Sequence, residues 1–245
     1  MNILLSGYGR MGKEVEKQAL KQHHAITGFL DKDADWNDKS LMQNADVVID
    51  FSLPETAVKN IYRCFDNNLP IITGTTGWYD HIAEVSRICH DKNQTLFYAP
   101  NFSIGVNLFF DINEKMARLM HGHINYEVKV SETHHIHKKD APSGTAKKLT
   151  DLLLDKIKRY SGWVLNKEEK DKIPVYAYRH DEVPGTHEVV YDSEVDMITL
   201  KHEAKSREGF ALGAVKAAEW VKDKKWGFHH AGFSEQLNFR LRIHD

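Results

Sequence analysis

The sequence is poor in cysteine and has no strong excess of charge of one sign. Cys64 and Cys89 are the only two cysteines among 245 residues, too few for a disulfide framework or a four-thiolate zinc site. Basic residues number 33 and acidic residues 35, which leaves a formal net charge of −2. Without a long basic run, the chain has no electrostatic footprint for nucleic acid.

Long apolar runs are also missing. No stretch approaches the roughly 18 uninterrupted apolar residues of a membrane helix, and the first residues, MNILLSG, show no charged leader or cleavage site. We therefore expect a cytoplasmic protein with neither a membrane nor a nucleic-acid partner. The 41% hydrophobic and 28% charged residues are typical of a folded globular chain.

The first hundred residues alternate short apolar runs with helical patterns. The runs that we predict as strands are Ile3–Ser6, Ile26–Leu30, Ala45–Asp50, Leu69–Thr73 and Thr95–Ala99. Strands alternating with helices favour right-handed crossovers and a parallel sheet. We predict an α/β protein whose first domain, residues 1–103, is a Rossmann-like, doubly wound parallel sheet.

After residue 103 the pattern changes to a long helix followed by alternating segments such as Glu127–Glu132. We predict a second, α+β domain over residues 104–209. The charged stretch Lys156–Lys172 is expected to form a helix end and a surface loop. A final amphipathic helix within residues 210–245 is expected to return to the first domain, while the role of the tail 227–245 stays open.

The first candidate functional motif is G-x-G-x-x-G, directly after the first predicted strand. It comprises Gly7, Tyr8, Gly9, Arg10, Met11 and Gly12. Glycines let the backbone approach a pyrophosphate, which the N-terminus of the following helix attracts. Asp31 ends the second strand, where it can accept hydrogen bonds from the adenosine ribose and repel the 2′-phosphate of NADP. Lys32 could pair with that phosphate, so NAD is favoured and use of both cofactors stays open.

Two further segments follow strands of the same domain and are expected to complete the cofactor crevice, because ligands bind at the carboxyl ends of parallel strands. They are Gly74, Thr75 and Thr76 after one strand, and Ala99, Pro100, Asn101 and Phe102 after the next. Ser52 also follows a strand, but we interpret it as a helix cap without a role in a site.

The most informative stretch is Glu132–Ala146, ETHHIHKKDAPSGTA. It places histidines and lysines immediately before Ser143, Gly144 and Thr145 at a predicted helix start. Backbone N–H groups, hydroxyls and the helix dipole suit a carboxylate there, and the upstream cluster can supply a proton. A metal site is disfavoured, because adjacent histidines on a strand point in opposite directions and the nearby lysines repel a cation. In addition, no cysteine or carboxylate with the spacing of a metal ligand completes a coordination shell.

With these motifs in place, the chain resembles the 4-hydroxy-tetrahydrodipicolinate reductase (dihydrodipicolinate reductase) family. The run from His134 to Thr145 is the most specific part of the likeness. The Gly9–Gly12 loop, Gly74–Gly77 and Asn101–Ser103 also match, with weaker matches at Arg179 and Gly185–Glu188. A departure is Ser6, where the family commonly has glycine.

The resemblance implies an NADH- or NADPH-dependent reduction in the diaminopimelate route to lysine, without a metal. It makes His134 the general acid/base, Lys138 the proton donor, and His135, Gly144 and Thr145 ligands of a heterocyclic dicarboxylate. It also implies a homotetramer built through the second domain. Two alternatives stay open: another nicotinamide-dependent amino-acid or semialdehyde dehydrogenase, and a non-catalytic NAD-binding regulator.

Overall fold

The computed structural model describes residues 1–33, 35–222, 224 and 226–229, and these form two compact units. The first unit contains Met1–Ser103 and the described residues from Arg207 onward, and the second contains Ile104–Ser206. Most of the tail with an open role, residues 230–245, lies outside the described residues. No helix in the described ranges combines the length and the apolar character needed to cross a membrane.

The secondary structure of the described chain consists of strands and helices with the following bounds. The strands are β1 (Asn2–Ser6), β2 (Ala25–Leu30), β3 (Val47–Asp50), β4 (Ile71–Thr73), β5 (Thr95–Tyr98), β6 (Glu127–His134), β7 (Gly162–Leu165), β8 (Lys172–Arg179), β9 (Thr186–Asp192), β10 (Met197–Glu203) and β11 (Trp226–His229). The helices are α1 (Arg10–Lys21), α2 (Lys39–Gln43), α3 (Pro54–Asp66), α4 (Ile82–Asp91), α5 (Ile104–Met120), α6 (Gly144–Lys156) and α7 (Glu208–Val221).

The first unit is built on a six-stranded sheet in the order β11-β5-β4-β3-β1-β2. Every neighbouring pair is parallel. Because β1 lies between β2 and β3, the direction of winding reverses at β1, which is where α/β sheets bind ligands. The predicted Rossmann-like, doubly wound sheet is confirmed.

Apolar residues cover both faces of this sheet, as alternation along a buried strand requires. In β1, Ile3 and Leu5 join one cluster with residues of α1 and α7, whereas Leu4 joins a second cluster with residues of α3 and α4. Apolar packing therefore covers both faces, and the polar segments that suit a ligand follow the strand ends.

The second unit is a mixed five-stranded sheet in the order β10-β9-β6-β8-β7. Strand β6 runs antiparallel to β9 and parallel to β8. Along β6 every second residue is buried, and Val128 and Val130 pack in one apolar cluster with residues of α5 and α6. The predicted α+β character of this part is confirmed.

Two local expectations are wrong. The segment Gly162–Leu165, expected to lie in a helix end or loop, is a strand that pairs with β8, because its apolar residues favour an edge position before the charged turn begins. Ser52 does not cap α3: Leu53 occupies the N-cap position without a side-chain hydrogen bond. The Ser52 hydroxyl instead accepts hydrogen bonds from Thr56 and Asn60.

A fully buried carboxylate, Asp50, connects the strand ends of the first unit. Four side chains donate hydrogen bonds to it: Ser6 (2.6 Å), Asn60 (3.2 Å), Thr73 (2.9 Å) and Thr75 (2.7 Å). The departure at Ser6 is thereby explained, because its hydroxyl completes the shell of donors that a buried carboxylate requires. Asp50 thus links the β1, β3 and β4 ends from which the predicted cofactor loops start.

We predict that Asp50→Ala lowers the free energy of unfolding by about 2–4 kcal/mol, because it leaves four buried donors without their acceptor. Urea unfolding measures this loss. Asp66→Ala is the matched control: its exposed carboxylate pairs with Lys92, and such pairs contribute only about 0–1 kcal/mol. Equal losses in the two variants would contradict the assignment.

Candidate active site

The predicted cofactor segments all follow parallel strands of the first unit and therefore lie along one edge of its sheet. Gly7–Gly12 follows β1, Asp31 and Lys32 follow β2, Gly74–Thr76 follows β4, and Ala99–Phe102 follows β5. The structure thus brings these sequence-predicted residues to one sheet edge.

The glycine loop has the backbone geometry that a dinucleotide phosphate needs. Gly7 has φ +81°, and a Cβ there would lie 2.4 Å from the Phe51 carbonyl oxygen. A Cβ on Gly12 would lie 2.2 Å from the Gly7 carbonyl oxygen, so neither position tolerates a side chain. A Cβ on Gly9, in contrast, would meet nothing within 4 Å. Open space at the N-terminus of α1, whose cap has no side-chain hydrogen bond, fits an incoming phosphate.

Asp31 is fixed beside this loop by a hydrogen bond in which the Tyr8 N–H donates to Oδ1 at 3.2 Å. The N–H groups of Asp31 and Lys32 both donate to Asp35, at 2.9 and 2.8 Å. The Asp31 carboxylate is exposed, so one oxygen can accept hydrogen bonds from a ribose while the other holds the loop. The Gly7–Gly12 loop and Asp31 therefore have the open space and the hydrogen-bonding groups that a dinucleotide cofactor requires.

The other two segments contribute backbone more than side chains. Thr75 is buried, and its hydroxyl donates to Asp50 and accepts the Ser52 N–H at 2.9 Å. Ala99 and Phe102 belong to the apolar core of the first unit. Thr76 and Pro100 are exposed at the same edge. These segments shape the edge, while Gly7–Gly12 and Asp31 carry the groups suited to a cofactor.

In the second unit, three neighbouring strands bring four polar side chains together. His134 ends β6, and Glu132 precedes it by two residues on the same face. The strand register pairs Glu132 with His187 of β9 and His134 with Arg179 of β8. The distances are 3.6 Å from Glu132 Oε2 to His134 Nδ1, 3.7 Å to His187 Nε2, and 3.4 Å from Glu132 Oε1 to Arg179 Nη2.

Glu132 is charged despite its complete burial. Burial alone would raise the pKa of this carboxyl, but the polar contacts with His187 and Ser143 and the nearby His134 outweigh burial and lower the pKa to about 2. The Ser143 N–H donates to both carboxylate oxygens, at 3.0 and 3.1 Å. A carboxylate with this many donors stays ionised in a dry environment.

His134 is neutral at physiological pH. Burial lowers its pKa, and the neighbouring His187, Lys138 and Arg179 lower it further, while Glu132 opposes this; the resulting pKa is about 4. The side chain is 9% exposed, enough for a small ligand to reach its edge. A neutral imidazole can accept a proton or donate a hydrogen bond, but it is not a reservoir of protons.

Lys138 is the cation beside this histidine. Its ammonium donates to both oxygens of Asp140, at 2.7 and 2.9 Å, and its side chain is 22% exposed. Arg179 holds the surrounding loop, because its guanidinium donates to the carbonyl oxygens of Lys138 and Asp140. His135 is half-buried next to them.

Ser143 caps α6 by accepting the Ala146 N–H at 3.2 Å. Its own N–H is committed to Glu132, and its hydroxyl lies 3.3 Å from His187 Nε2. The N–H groups of Gly144 and Thr145 have no acceptor in the described part of the chain, which is typical of a first helical turn. These two amides are the donors that an anion would find at this helix start.

Glu132, His134 and His187 also have the composition of a metal-binding triad, since their ligand atoms lie within 4.8 Å of one another. Their surroundings disfavour a cation. The Glu132 carboxylate already accepts the Ser143 N–H with both oxygens and faces Arg179, and Lys138 adds a positive charge. Most metal-bound histidines donate a hydrogen bond from their second ring nitrogen, but the Nδ1 atom of His187 has no such partner among the described residues.

Three of these residues were not predicted as site residues from the sequence: Glu132, Arg179 and His187. The alternation of β6 already placed Glu132 on the face of His134, so a carboxylate on a buried face was an available signal. His187 and Arg179 enter through the strand register, which the sequence does not reveal.

The comparisons with known proteins cover nearly the whole chain. Residues 1–102 match the family model "Dihydrodipicolinate reductase, N-terminus" and residues 105–232 match "Dihydrodipicolinate reductase, C-terminus". A 4-hydroxy-tetrahydrodipicolinate reductase from Christiangramia forsetii is 47% identical over 224 residues, covering 91% of this chain and 93% of the relative. One from Clostridium novyi is 35% identical, covering 93% and 95%.

Among solved structures, dipicolinate-bound dihydrodipicolinate reductase from Paenisporosarcina sp. TG-14 has a TM-score of 0.74 at 23% identity. The alignment covers 94% of this chain and 97% of that one. At this identity the likeness concerns the fold, and it agrees with the two sheets described above.

We predict that acid destabilises the protein through His134. In the unfolded chain this histidine titrates near pH 6.5, whereas in the folded protein its pKa is about 4. Stability is therefore complete above pH 6.5 and falls as the pH drops towards 4, by about 1–2 kcal/mol at pH 5. Glu132 extends the loss at lower pH, because its pKa falls from 4.5 to about 2 on folding.

Urea unfolding at pH 7.5 and pH 5 tests this prediction. His134→Asn removes the contribution, so its stability changes less between the two pH values than that of the wild type. His137→Asn, at an exposed histidine three residues after His134, serves as control and behaves like the wild type. Identical pH dependence in wild type and His134→Asn would refute the prediction.

Proposed function

Because the chain belongs to the dihydrodipicolinate reductase family, we propose that the cluster at the end of β6 carries the acid–base chemistry of that family's reaction. The protein is an NAD(P)H-dependent oxidoreductase that reduces 4-hydroxy-tetrahydrodipicolinate, or its dehydrated form, to tetrahydrodipicolinate in diaminopimelate and lysine biosynthesis. One observation supports the assignment most strongly: a neutral histidine, a lysine and the unpaired amides of a helix start lie within one short segment.

The loop Gly7–Gly12 is proposed to hold the pyrophosphate of the cofactor, and Asp31 its adenosine ribose. Lys32, Gly74–Thr76 and Ala99–Phe102 complete the proposed site at the same sheet edge. The bound dinucleotide supplies a hydride, after which the reduced substrate requires one proton. The residues of the second unit are suited to provide that proton and to hold the substrate.

Lys138 and His134 divide this task in our proposal. Lys138 carries the ammonium group, so it is the proton donor. His134 is neutral in the free protein because its pKa is about 4, and a bound dicarboxylate brings negative charge that raises the pKa of a histidine. Substrate binding thereby prepares His134 to act as general acid/base only when a substrate is present.

The substrate carboxylates are proposed to bind at the start of α6. The free amides of Gly144 and Thr145 and the positive end of the helix dipole suit an anion, and His135 stands at the opposite end of the same loop. Ser143 contributes indirectly, because its N–H and hydroxyl are already engaged with Glu132 and Ala146. The dipicolinate bound by the Paenisporosarcina relative is a dicarboxylate of the expected kind.

Two further properties belong to the proposal. We propose a homotetramer assembled through the second unit and a cytoplasmic location, both from the family resemblance. Size-exclusion chromatography with light scattering checks the first. Two alternative functions differ from this proposal in a measurable property. Another amino-acid or semialdehyde dehydrogenase would turn over different substrates, and a non-catalytic NAD-binding regulator would bind the cofactor without turnover.

We predict that Lys138→Ala lowers kcat roughly 100-fold or more, the usual contribution of a general acid, and leaves NADH binding unchanged. The measurement follows the nicotinamide absorbance with NADH and NADPH in parallel, and with substrate made fresh from pyruvate and aspartate semialdehyde by its synthase. Lys139→Ala, at the exposed neighbouring lysine, is the control and retains activity.

His134→Ala is expected to lose activity to a similar degree. Turnover that is indifferent to both substitutions would reject the roles of Lys138 and His134. Binding of NADH without any turnover by the wild type would favour the regulator, and turnover only with other substrates would favour a different dehydrogenase.

A further inference from the structure

Glu132 is a charged group for which the proposed proton transfer has no direct use. Its side chain is completely buried, so it cannot contact a ligand. Burying a carboxylate is unfavourable unless donors surround it, and Glu132 has them on every side.

The polar groups that face Glu132 come from separate elements of the second unit. Arg179 belongs to β8 and His187 to β9, on the two sides of the strand that carries Glu132 itself. The Ser143 N–H comes from the residue that caps α6. One carboxylate therefore connects the central strand to both neighbouring strands and to the helix start.

These connections reach the two functional parts of the proposed site. Towards one side, the Glu132 Oε2 atom lies 3.6 Å from His134 Nδ1, an electrostatic contact that is longer than a hydrogen bond. Towards the other, both carboxylate oxygens accept the Ser143 N–H, which fixes the turn that presents the Gly144 and Thr145 amides. Arg179, held by Glu132, binds the carbonyl oxygens of Lys138 and Asp140.

We propose that Glu132 is a positioning residue, whose single buried carboxylate holds the proton-transfer histidine and the carboxylate-binding helix start in one fixed arrangement. The inference rests on the proposed function. His187 assists, because it lies between Glu132 Oε2 and the Ser143 hydroxyl, at 3.7 and 3.3 Å from Nε2. Without the carboxylate, Ser143 and His134 lose their common anchor while both side chains stay present.

The test compares Glu132→Gln with the wild type. Gln has the same shape, but its amide cannot accept the Ser143 N–H with both terminal atoms. We expect at least a tenfold fall in kcat and at least a tenfold weaker affinity for pyridine-2,6-dicarboxylate, measured by calorimetry. The Kd for NADH should stay within twofold of the wild type, because the proposed cofactor loops belong to the other unit.

Glu188→Gln is the matched control. Glu188 follows His187 on β9 but alternates to the other face, where it pairs with Lys201, so its substitution should leave every readout unchanged. If Glu132→Gln fails to fold, His187→Leu and His187→Gln replace it. Leu should weaken dicarboxylate binding, and Gln, whose amide nitrogen can reach Glu132, should restore it.

The outcomes separate this inference from the proposed function. A Glu132→Gln protein with a lowered Tm but with wild-type kcat and dicarboxylate affinity would show a purely structural carboxylate and overturn the inference alone. A wild-type protein that neither oxidises NADH nor binds the dicarboxylate would overturn the proposed function and this inference together.

Discussion

The energetic cost of burying a carboxylate is the constraint around which the second unit's site is arranged. Glu132 keeps its charge in a dry environment only because Ser143, His187 and Arg179 donate to it or pair with it. Those partners come from a helix start and two strands, so satisfying one charge fixes their relative positions. Asp50 imposes the same requirement on the first unit, where four side-chain donors surround it.

The same charge contributes to the proton balance of the site. Burial and the neighbouring His187, Lys138 and Arg179 lower the pKa of His134, while Glu132 raises it. The free protein therefore holds a neutral histidine and a protonated lysine next to each other. In our proposal an anionic substrate reverses the local balance of charge, which links proton uptake by His134 to substrate binding. Lys138 and Arg179 make the triad of Glu132, His134 and His187 unfavourable for a metal ion.

Much of the fold and the site follows from local sequence patterns. The G-x-G-x-x-G loop, the acidic end of β2 and the segment from His134 to Thr145 all have a short-range signature with a physical reason. What the sequence does not reveal depends on pairing between distant strands. Nothing local to Gly185–Glu188 shows that β9 will place His187 opposite Glu132, because register is set by the whole sheet. The strand at Gly162–Leu165 is missed for the same reason.

The most direct test of this account is an NMR titration of the His134 ring in the free protein and in the presence of pyridine-2,6-dicarboxylate. We expect a pKa of about 4 for His134 in the free protein, well below the ordinary value of 6.5, and a rise of about one unit or more when the dicarboxylate binds. A pKa near 6.5 in the free protein, unchanged by the ligand, would contradict the central claim that substrate charge prepares His134 for proton transfer.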